Sequence, residues 1–543
     1  MACETFVVVI DTPSIKNYVF GTDPLNEVRG ASARLDTLNR YETEKCLADD
    51  LGKGRVECIY ANGGSAQFLI HESDQADVRM ACESMVQHIR EQTAGEVGVV
   101  YGIAPLKDNT SYADYAEAVQ MAHFQLRCQR EFATSQRSAA LIPLMKECKS
   151  ASHLPAADID NNDGDILSHA SYEKRQHGSD ARRRGLWAQW MKQLKETGQS
   201  WPSDEYWDKL RCESLTDIGD CSSWDGYIGL VYADGNGMGK IIKTLDLPET
   251  YRQFSRIVDK SIREACFTAL NQVSKSEINN VQEALKNQKS FKSLPADILL
   301  LGGDDLLVAL PADRALDFAQ RATETFQRLT QEKIDALKDG KTREFFYKQL
   351  SNEGFTISCG VAIAKSNYPF YLLLDLAEDL LKNAKKKDNF YSHSDADGDA
   401  RIDFHVVAGA NSYALAQVRE ETYLAKTGAP DPRTLRPLSC RQLEQLRENV
   451  QELRAAGFPH SKLHALQKAA LLPNRIRTSI RIQEIFARCQ HGQDRSQRRA
   501  LWESIDSMCP EGYSLEFPWF KKGDLRLLCI ADLVDAYRLF SNK

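Results

Sequence analysis

The sequence predicts an α+β protein that contains two copies of one module. Apolar strands and helical patterns follow each other twice in the order strand, helix, hairpin, helix, strand, helix, which is the order of a ferredoxin-like fold. Local matches support the duplication, since Gly102-Ile103-Ala104 corresponds to Gly360-Val361-Ala362. Helical patterns without strands follow the second copy. Self-similarity of this kind indicates two copies of one fold, and we expect them to pack face to face.

The first copy consists of β-branched or apolar strands and amphipathic helices. Its second and third strands are joined by a turn that contains Gly63 and Gly64, because glycine adopts the positive φ of a tight turn without steric cost. The predicted elements, in chain order, are a strand at 5–10, a helix at 26–39, strands at 55–60 and 67–70, a helix at 74–93, a strand at 96–104 and a helix at 112–130.

The second copy repeats this order, with a final strand added after its last helix. The predicted elements are a strand at 227–233, a helix at 247–274, a hairpin centred near 302, a helix at 313–337, a strand at 355–364, a helix at 371–387 and a strand at 401–407.

The hairpin of the second copy carries an acidic turn. Two apolar runs, 298–301 and 306–310, flank Gly302-Gly303-Asp304-Asp305. Adjacent carboxylates between buried strands repel each other and are costly to desolvate unless a cation lies between them. Carboxylate oxygens are the ligands that Mg²⁺ and Mn²⁺ prefer. The turn therefore predicts a site for divalent cations, and an ordinary acidic turn at the surface is the simpler alternative.

A third carboxylate is expected from the neighbouring strand. The apolar run 227–231 leads to Asp234, which is followed by Gly235-Asn236-Gly237-Met238-Gly239 and a helical pattern. An Asp at the end of one strand and an Asp pair on the adjacent hairpin can hold two metal ions that clamp the attacking and leaving oxygens in phosphoryl transfer. The glycines let backbone N–H groups approach phosphate at the start of a helix.

The two copies differ where this chemistry would occur. Asp304 and Asp305 correspond to Ser65 and Ala66 in the first copy, whereas Asp234 corresponds to Asp11. The first copy has therefore lost two of the three carboxylates. We predict one active metal site per chain, with the first copy as a structural or substrate-binding partner.

The repeat divides the chain into four predicted domains, which are 1–145 (first copy), 146–225 (small linker domain), 226–410 (second copy) and 411–543 (helical). The linker domain contains Cys148, His153, Cys212 and Cys221, but the two close ligand pairs of a zinc site are absent, which favours ordinary cysteines over a structural zinc. In the last domain, apolar residues at three- and four-residue spacing predict helices, the last of them at 525–540. We expect this helical domain to dock partners.

Composition and charge favour a large cytoplasmic protein. No run of about 18 apolar residues occurs, so no membrane span is expected. The N-terminus lacks a charged region followed by an apolar stretch, so no secretory signal is expected and the 14 cysteines should be reduced thiols. The net charge of −7 argues against a surface that binds nucleic acid throughout, and it leaves room for local basic patches.

These motifs resemble those of the large, polymerase-like subunit of type III CRISPR effector complexes, the Csm and Cmr large subunits. Gly302-Gly303-Asp304-Asp305 and the segment 234–239 match the second palm domain of that family, and Tyr60-Ala61-Asn62-Gly63-Gly64 resembles its degenerate first palm. The same palm is similar to GGDEF diguanylate cyclases, whose phosphate-approaching Ala-Lys matches Ala384-Lys385. The resemblance covers nearly the whole chain.

The resemblance implies two palm domains and the conversion of ATP to cyclic oligoadenylate, a second messenger in antiviral defence. Asp234, Asp304 and Asp305 would be catalytic and would hold two Mg²⁺ or Mn²⁺ ions on the triphosphate. The implied nucleotide-binding residues are Gly235, Asn236, Gly237, Met238, Gly239, Gly302, Gly303 and Lys385.

The resemblance also implies partners. They would be ATP and, through the C-terminal helical domain, guide or target RNA and other effector subunits. Many members of the family begin with an HD nuclease domain. We expect none here, because the first copy starts at residue 5 and no His in the chain is followed by Asp.

Three alternatives remain open at this stage. The chain could be a non-catalytic scaffold of a guide-RNA complex, a stand-alone defence cyclase that makes another cyclic nucleotide, or a diguanylate-type cyclase. The Asp304-Asp305 pair argues against the last, because that family usually has Asp-Glu or Glu-Glu followed by Phe.

Overall fold

The structure is a computed structural model of the 543-residue chain, and it describes most of the sequence. The described residues are 4–13, 15–22, 24–107, 112–132, 144–161, 163–196, 201–245, 247–287, 293–350, 353–386, 400–407, 415–423, 431–489 and 494–540. Within them the chain has a mixed helix and sheet architecture, which confirms the predicted α+β class.

The first palm is a four-stranded antiparallel sheet with its helices. Its strands are β1 (Glu4–Asp11), β2 (Val56–Asn62), β3 (Ser65–Ser73) and β4 (Val100–Leu106), in the spatial order β2-β3-β1-β4. Its helices are α1 (Ile15–Phe20), α2 (Leu25–Thr37), α3 (Thr43–Leu51), α4 (Gln75–Gln92) and α5 (Tyr112–Phe132), with a π-helix at Leu38–Glu42 after α2. The strand order is that of a ferredoxin-like fold, as expected.

The linker segment is more helical than the sequence suggested. It begins with a two-stranded ribbon of β5 (Asp158–Ile159) and β6 (Ile166–Leu167). The helices that follow are α6 (His169–Arg184), α7 (Leu186–Glu196), a 3₁₀ helix at Asp204–Leu210 and α8 (Leu215–Asp220). Helix α6 packs closely along α2. A Cβ added to Gly30 or Gly178 would clash with the backbone of the other helix, so the close packing depends on glycine at both positions.

A nearly buried arginine ties the linker segment to the first palm. Arg175 on α6 donates a hydrogen bond to Glu27 on α2 at 2.7 Å. Its other nitrogens contact Asp160, Asp163 and Asp165 at 2.9–3.2 Å. A guanidinium therefore supplies the positive charge around which this acidic segment is ordered.

The second palm contains a six-stranded sheet. Its strands are β7 (Tyr227–Gly235), β8 (Asp297–Gly302), β9 (Asp305–Pro311), β10 (Ile357–Lys365), β11 (Arg401–Val406) and β12 (Leu438–Ser439), in the order β12-β11-β10-β7-β9-β8. Its helices are α9 (Met238–Ile242), α10 (Pro248–Val273), α11 (Lys275–Lys286), α12 (Ala312–Asp335), α13 (Gly340–Leu350) and α14 (Phe370–Ala384). The four central strands repeat the order of the first palm, and β11 extends the sheet in parallel to β10.

The C-terminal part is helical but also contains a small sheet that the sequence analysis missed. Its helices are α15 (Leu415–Tyr423), α16 (Cys440–Ala455), α17 (His460–Ala470), α18 (Arg475–Ala487), α19 (Asp494–Asp506) and α20 (Ile530–Ala536). The sheet consists of β13 (Ser514–Glu516), β14 (Trp519–Lys522) and β15 (Leu525–Leu527). The predicted helix at 525–540 is therefore wrong in its first part. Gly523, with a positive φ of 59°, forms the turn that brings 525–527 back to pair with β14, so these residues are a strand.

The two palms pack against each other through equivalent elements. Helix α10 of the second palm lies on edge strand β2 of the first, and α2 of the first lies on edge strand β8 of the second. Tyr60 stacks on Tyr251 with ring centroids 4.7 Å apart, and Asn62 donates a hydrogen bond to Ser255 at 2.9 Å. The hairpin turns meet tip to tip, since a Cβ added to Gly63 would lie 3.4 Å from Cα of Gly303. The first palm thus lies directly beside the acidic turn of the second.

None of the helices that the structure describes is both long and apolar enough to cross a membrane.

Candidate active site

The sheet of the second palm brings the predicted carboxylates to one end of the strands. Strand β7 pairs with β9 up to Ala233 opposite Leu306, so Asp234 and Asp305 are the next residues on neighbouring strands. Asp304 lies in the turn that precedes β9. All three aspartates therefore lie at the same edge of the sheet, as the sequence predicts.

Asp304 and Asp234 are in direct contact. The protonated form of Asp304 donates a hydrogen bond to Asp234. Burial and the neighbouring Asp234 carboxylate raise the pKa of Asp304 from 3.8 to about 7. Burial, Asp234 and Asp304 raise the pKa of Asp305 to about 8. Carboxylates this close together gain strongly from a positive charge between them.

Lys385 supplies such a charge. It follows the last residue of α14, and its Nζ donates to a carboxylate oxygen of Asp234 and to the backbone oxygen of Gly235 at 2.8 Å. The predicted lysine therefore lies at the acidic cluster, about 150 residues away in sequence from Asp234. The first palm has an equivalent pair, in which Arg130 at the end of α5 donates to Asp11. The duplication has thus kept the cation–aspartate pair in both copies and the acidic turn in the second alone.

The glycine-rich segment after Asp234 is partly used by the fold itself. A Cβ added to Gly235 would lie 2.7 Å from Oδ2 of Asp304 and 2.5 Å from Cγ of Met238, so a side chain there would displace both neighbours. The Met238 side chain is buried in the core. Gly237, with a φ of 67°, begins the five-residue helix α9, and Gly237 and Gly239 are exposed. These two glycines are the positions at which a phosphate could approach the backbone.

Asn236 serves the scaffold in this structure. Its backbone N–H donates to the oxygen of Thr356 at 2.9 Å, and its side chain bonds to the hydroxyls of Thr356 at 3.0 Å and Ser358 at 2.9 Å. The backbone N–H of Asn236 is therefore engaged within the protein here, and contact of the segment 235–239 with phosphate stays a prediction. The sequence could not reveal these bonds, because Thr356 and Ser358 lie 120 and 122 positions away from Asn236.

The acidic turn is also tied to the first palm. The backbone N–H of Gly303 acts electrostatically on the carboxylate of Asp259 on α10. Arg40 of the first palm donates to both oxygens of Asp259, at 2.6 and 3.1 Å. The Arg40–Asp259 pair therefore lies beside the acidic turn and links it to the first palm. Gly302 ends β8 and, like Gly303, faces the glycine turn of the first palm.

The carboxylates of Asp234, Asp304 and Asp305 have the chemistry that a divalent cation requires, but they are not arranged as a complete coordination site. Among the residues that the structure describes, no group of three or more His, Cys, Asp or Glu side chains is placed to hold a metal ion. The physical reason is that Asp304 lies against Gly235 while Asp305 begins a strand, and the Lys385 ammonium binds Asp234. The contact between Asp304 and Asp234 nevertheless puts two hard oxygen ligands side by side, which is the chemistry that Mg²⁺ and Mn²⁺ prefer.

Among the described residues, Cys148, His153, Cys212 and Cys221 supply no group of three that could hold a zinc ion. Cys148 lies in a small hydrophobic cluster of the linker segment, Cys212 lies in the core that joins the palms, and Cys221 is exposed.

Asp304 and Asp305, whose pKa values are raised, are expected to contribute a loss of stability to the metal-free protein as the pH rises from about 4 to about 8. A carboxyl whose pKa is higher in the folded protein than in the unfolded chain binds its proton more tightly when folded, so stability falls with pH until both states are deprotonated. The variant D304N/D305N lacks this loss. Its Tm at pH 8.5 in EDTA is expected to exceed that of the wild type by about 2–5 °C, with little difference at pH 4.5.

The matched control is D11N, which removes the equivalent aspartate of the first palm and is not expected to raise the Tm. Added Mg²⁺ is expected to raise the Tm of the wild type at pH 8.5 and to leave that of D304N/D305N unchanged, because the ion binds only a folded carboxylate site. Parallel pH profiles for wild type and D304N/D305N would show that the two carboxyl groups are not raised.

Comparison with known proteins identifies the palm by sequence. Residues 227–391 match the family model of the second palm domain of Cas10/Cmr2. Over 175 residues the chain is 28% identical to the CRISPR system Cmr subunit Cmr2 of Pyrococcus furiosus, and this segment is 30% of the chain and 17% of that relative. The chain therefore matches less than a fifth of the length of that relative.

Solved structures extend the likeness in fold to nearly the whole chain. The Csm1–Csm4 cassette in complex with cA3 has a TM-score of 0.52 and 12% identity, covering 99% of this chain and 70% of that chain. The cassette in complex with one ATP gives the same TM-score and identity, covering 93% and 69%. The sequence match confirms the predicted resemblance for residues 227–391, which form a palm of the Cas10/Cmr2 second-palm type, and nearly the whole chain shares its fold with the Csm1–Csm4 structures.

Proposed function

We propose that this chain is a metal-dependent nucleotidyltransferase that converts ATP to cyclic oligoadenylates in CRISPR-type antiviral defence. The observation that carries the proposal is the contact between Asp304 and Asp234, beside Lys385, in a Cas10/Cmr2-type palm. The ligands of the structurally similar Csm1–Csm4 cassettes, one ATP and cA3, support adenine nucleotides as substrate and product.

In the proposed reaction, the 3′-hydroxyl of one nucleotide attacks the α-phosphorus of another, and pyrophosphate leaves. Two Mg²⁺ or Mn²⁺ ions would lower the proton affinity of the hydroxyl and neutralise the leaving group. Asp234, Asp304 and Asp305 would hold these ions. Gly237 and Gly239 would allow the backbone to approach the triphosphate. Lys385 would move from Asp234 to a phosphate oxygen, which its flexible stem permits. Positioning and electrostatics would supply most of the rate.

The direct test is incubation of the protein with ATP and Mg²⁺ or Mn²⁺, followed by mass spectrometry of the products. Reactions with each other NTP, and with single-stranded RNA as candidate activator, belong to the same experiment. A metal-dependent cyclic oligoadenylate is the expected product. A cyclic dinucleotide made from GTP would favour the diguanylate-type alternative, and the absence of any product under all conditions would contradict the proposal.

The second candidate is a non-catalytic scaffold of a guide-RNA complex. The observation that favours it is the Lys385–Asp234 pair together with the lack of a finished three-ligand group in the described part of the chain. Purification from the native host separates the two, because stable co-purification with a guide RNA and companion subunits without product formation would support the scaffold. Product formation by the isolated chain would instead support a stand-alone cyclase.

We also propose that the C-terminal part docks RNA through an aromatic–arginine surface on α18, α19 and the loop before β14. The rings of Phe486, Trp502 and Phe517 lie 4.7–6.0 Å from one another, and the guanidinium of Arg498 lies 4.6 Å from the Phe486 ring. The same two helices and the end of α18 also carry exposed arginines, which are Arg475, Arg477, Arg481, Arg488, Arg495 and Arg499. Stacked rings among arginines favour single-stranded nucleic acid.

Charge reversal on this surface, R477E/R481E, is expected to weaken binding of single-stranded RNA about 10-fold and to reduce its salt dependence. Fluorescence anisotropy of a labelled RNA over a range of salt concentrations measures both. R328E, on the exposed side of α12, is the control and should bind as the wild type does. Equal binding by R477E/R481E would place the RNA elsewhere or exclude it.

A further inference from the structure

Lys16 belongs to the first palm, but its ammonium group reaches the candidate active site of the second. It lies on α1, and its Nζ is 2.9 Å from Oε1 of Glu378 on α14. The same Nζ lies 4.6 Å from the centroid of the Tyr232 ring. Tyr232 precedes Asp234 by two positions on β7, and alternate residues of a strand share a face. Lys16 therefore lies over the sheet face that carries Asp234.

The charges around Lys16 place it within the field of the acidic cluster. The Lys16 ammonium is the cation whose charge acts most strongly on Asp305, ahead of that of Lys385. Lys385 approaches the same cluster from its own palm. Each palm thus directs one ammonium group at the carboxylates of the second palm.

The ion pair that holds Lys16 can be exchanged. The Lys16 side chain is 43% exposed, and ion pairs at this exposure are weak. Glu378 also has Lys382 at 3.9 Å, so it keeps a cationic neighbour when Lys16 leaves. A triphosphate carries more negative charge than a single carboxylate, and it would compete successfully for the ammonium group.

We propose that Lys16 is a nucleotide-contacting residue that the first palm supplies to the second. The proposal rests on the proposed function of the second palm: when a nucleoside triphosphate binds there, the Lys16 ammonium exchanges Glu378 for a phosphate oxygen. Lys385 offsets the phosphate charge from one side and Lys16 from the other. The first palm would then take part in the site although it lacks the acidic pair. The hairpin registers place Gly64 and Ser65 at the positions of Asp304 and Asp305, so the predicted correspondence with Ser65 and Ala66 is wrong by one residue.

The test measures binding of α,β-methylene-ATP, which cannot release pyrophosphate, by titration calorimetry in the presence of Mg²⁺. K16M is expected to weaken binding about 10-fold, because it removes a charge-assisted hydrogen bond. K16R keeps the charge and should bind within about 3-fold of the wild type. K382M is the matched control, since it removes the other cation beside Glu378, and it should bind as the wild type does.

E378Q separates a contact with the nucleotide from a structural ion pair. If the Lys16–Glu378 pair merely holds the palms together, E378Q and K16M weaken binding alike and lower the Tm alike. If Lys16 contacts phosphate, E378Q binds as tightly as the wild type or more tightly. Wild-type affinity in K16M, or equal weakening in E378Q, would overturn the assignment of Lys16 alone. A folded wild-type protein that binds no nucleotide would overturn the proposed function and the role of Lys16 together.

Discussion

Replacement of Asp304 and Asp305 by alanine is expected to lower the rate of product formation from ATP about 1,000-fold or more. These side chains, with Asp234, are the oxygen ligands that the second palm offers to the metal ions of the proposed reaction. Their loss removes the charge that would hold the ions on the triphosphate. The initial rate of product formation, measured by mass spectrometry at saturating ATP and Mn²⁺, is the quantity to compare.

Misfolding is not expected to explain this loss. Asp304 and Asp305 repel each other and Asp234, so removal of the acidic pair should leave the Tm unchanged or raise it. The matched control is D11A in the first palm, where the aspartate pairs with Arg130 as Asp234 pairs with Lys385. D11A should retain activity within a few-fold. Full activity of D304A/D305A would move the chemistry away from this palm, and an equal loss in D11A would mean that both copies hold metal.

The arrangement of both palms could be predicted from the sequence because its determinants are local. The turns at Gly63-Gly64 and Gly302-Gly303 need glycine, and Gly63, Gly64 and Gly303 have positive φ values. The apolar runs on either side of each turn form antiparallel strands, and this arrangement occurs once in each palm. The position of Asp234 at the end of β7 followed from where the apolar run stops.

The connections around the site could not be predicted, because they join residues far apart in the chain. Arg40 and Asp259 are 219 positions apart, and Lys16 and Glu378 are 362 positions apart. No spacing rule relates such residues, and the surface lysines and glutamates of a helix give no signal of their own. These contacts cross the interface of the palms, which explains why a copy that lacks the acidic pair can still position the turn of the other.

The orientation of the three aspartate side chains could not be predicted from the sequence either. Three aspartates at one sheet edge suggest three converging ligands, but the direction of each side chain depends on the turn. Asp304 turns toward Gly235 and Asp234, whereas the charge of Asp305 acts most strongly of all the neighbouring charges on Tyr232. Departure of Lys385 from Asp234 would be needed to complete the set, and nucleotide binding could drive it.

Replacement of Asp532 by alanine is expected to be the most destabilising single substitution proposed for this protein, by about 3–5 kcal/mol. Asp532 is fully buried on α20 and accepts hydrogen bonds from the N–H of Leu435 at 2.6 Å, from Nε of Arg436 at 2.7 Å and from the hydroxyl of Thr434. Arg436 is equally buried and also donates to the backbone oxygen of Phe404 on β11 at 2.9 Å. The alanine would leave a buried guanidinium without its main counter-charge.

Unfolding in urea, followed by circular dichroism, measures this effect, and two further variants show whether the charge is its cause. D535A removes a single weaker partner of Arg436, at 3.0 Å, and is expected to cost about 1 kcal/mol. The pair R436M/D532L replaces both charges with apolar groups and should recover most of the stability, because the unpaired charge and not the lost contact is the larger penalty. A cost near 1 kcal/mol for D532A, or no recovery in the double variant, would mean that water reaches Arg436.

Arg436 bonds both to β11 of the second palm and to α20 of the C-terminal part. A D532A protein that still joins nucleotides would therefore show that catalysis in the palm does not depend on firm attachment of the C-terminal helices.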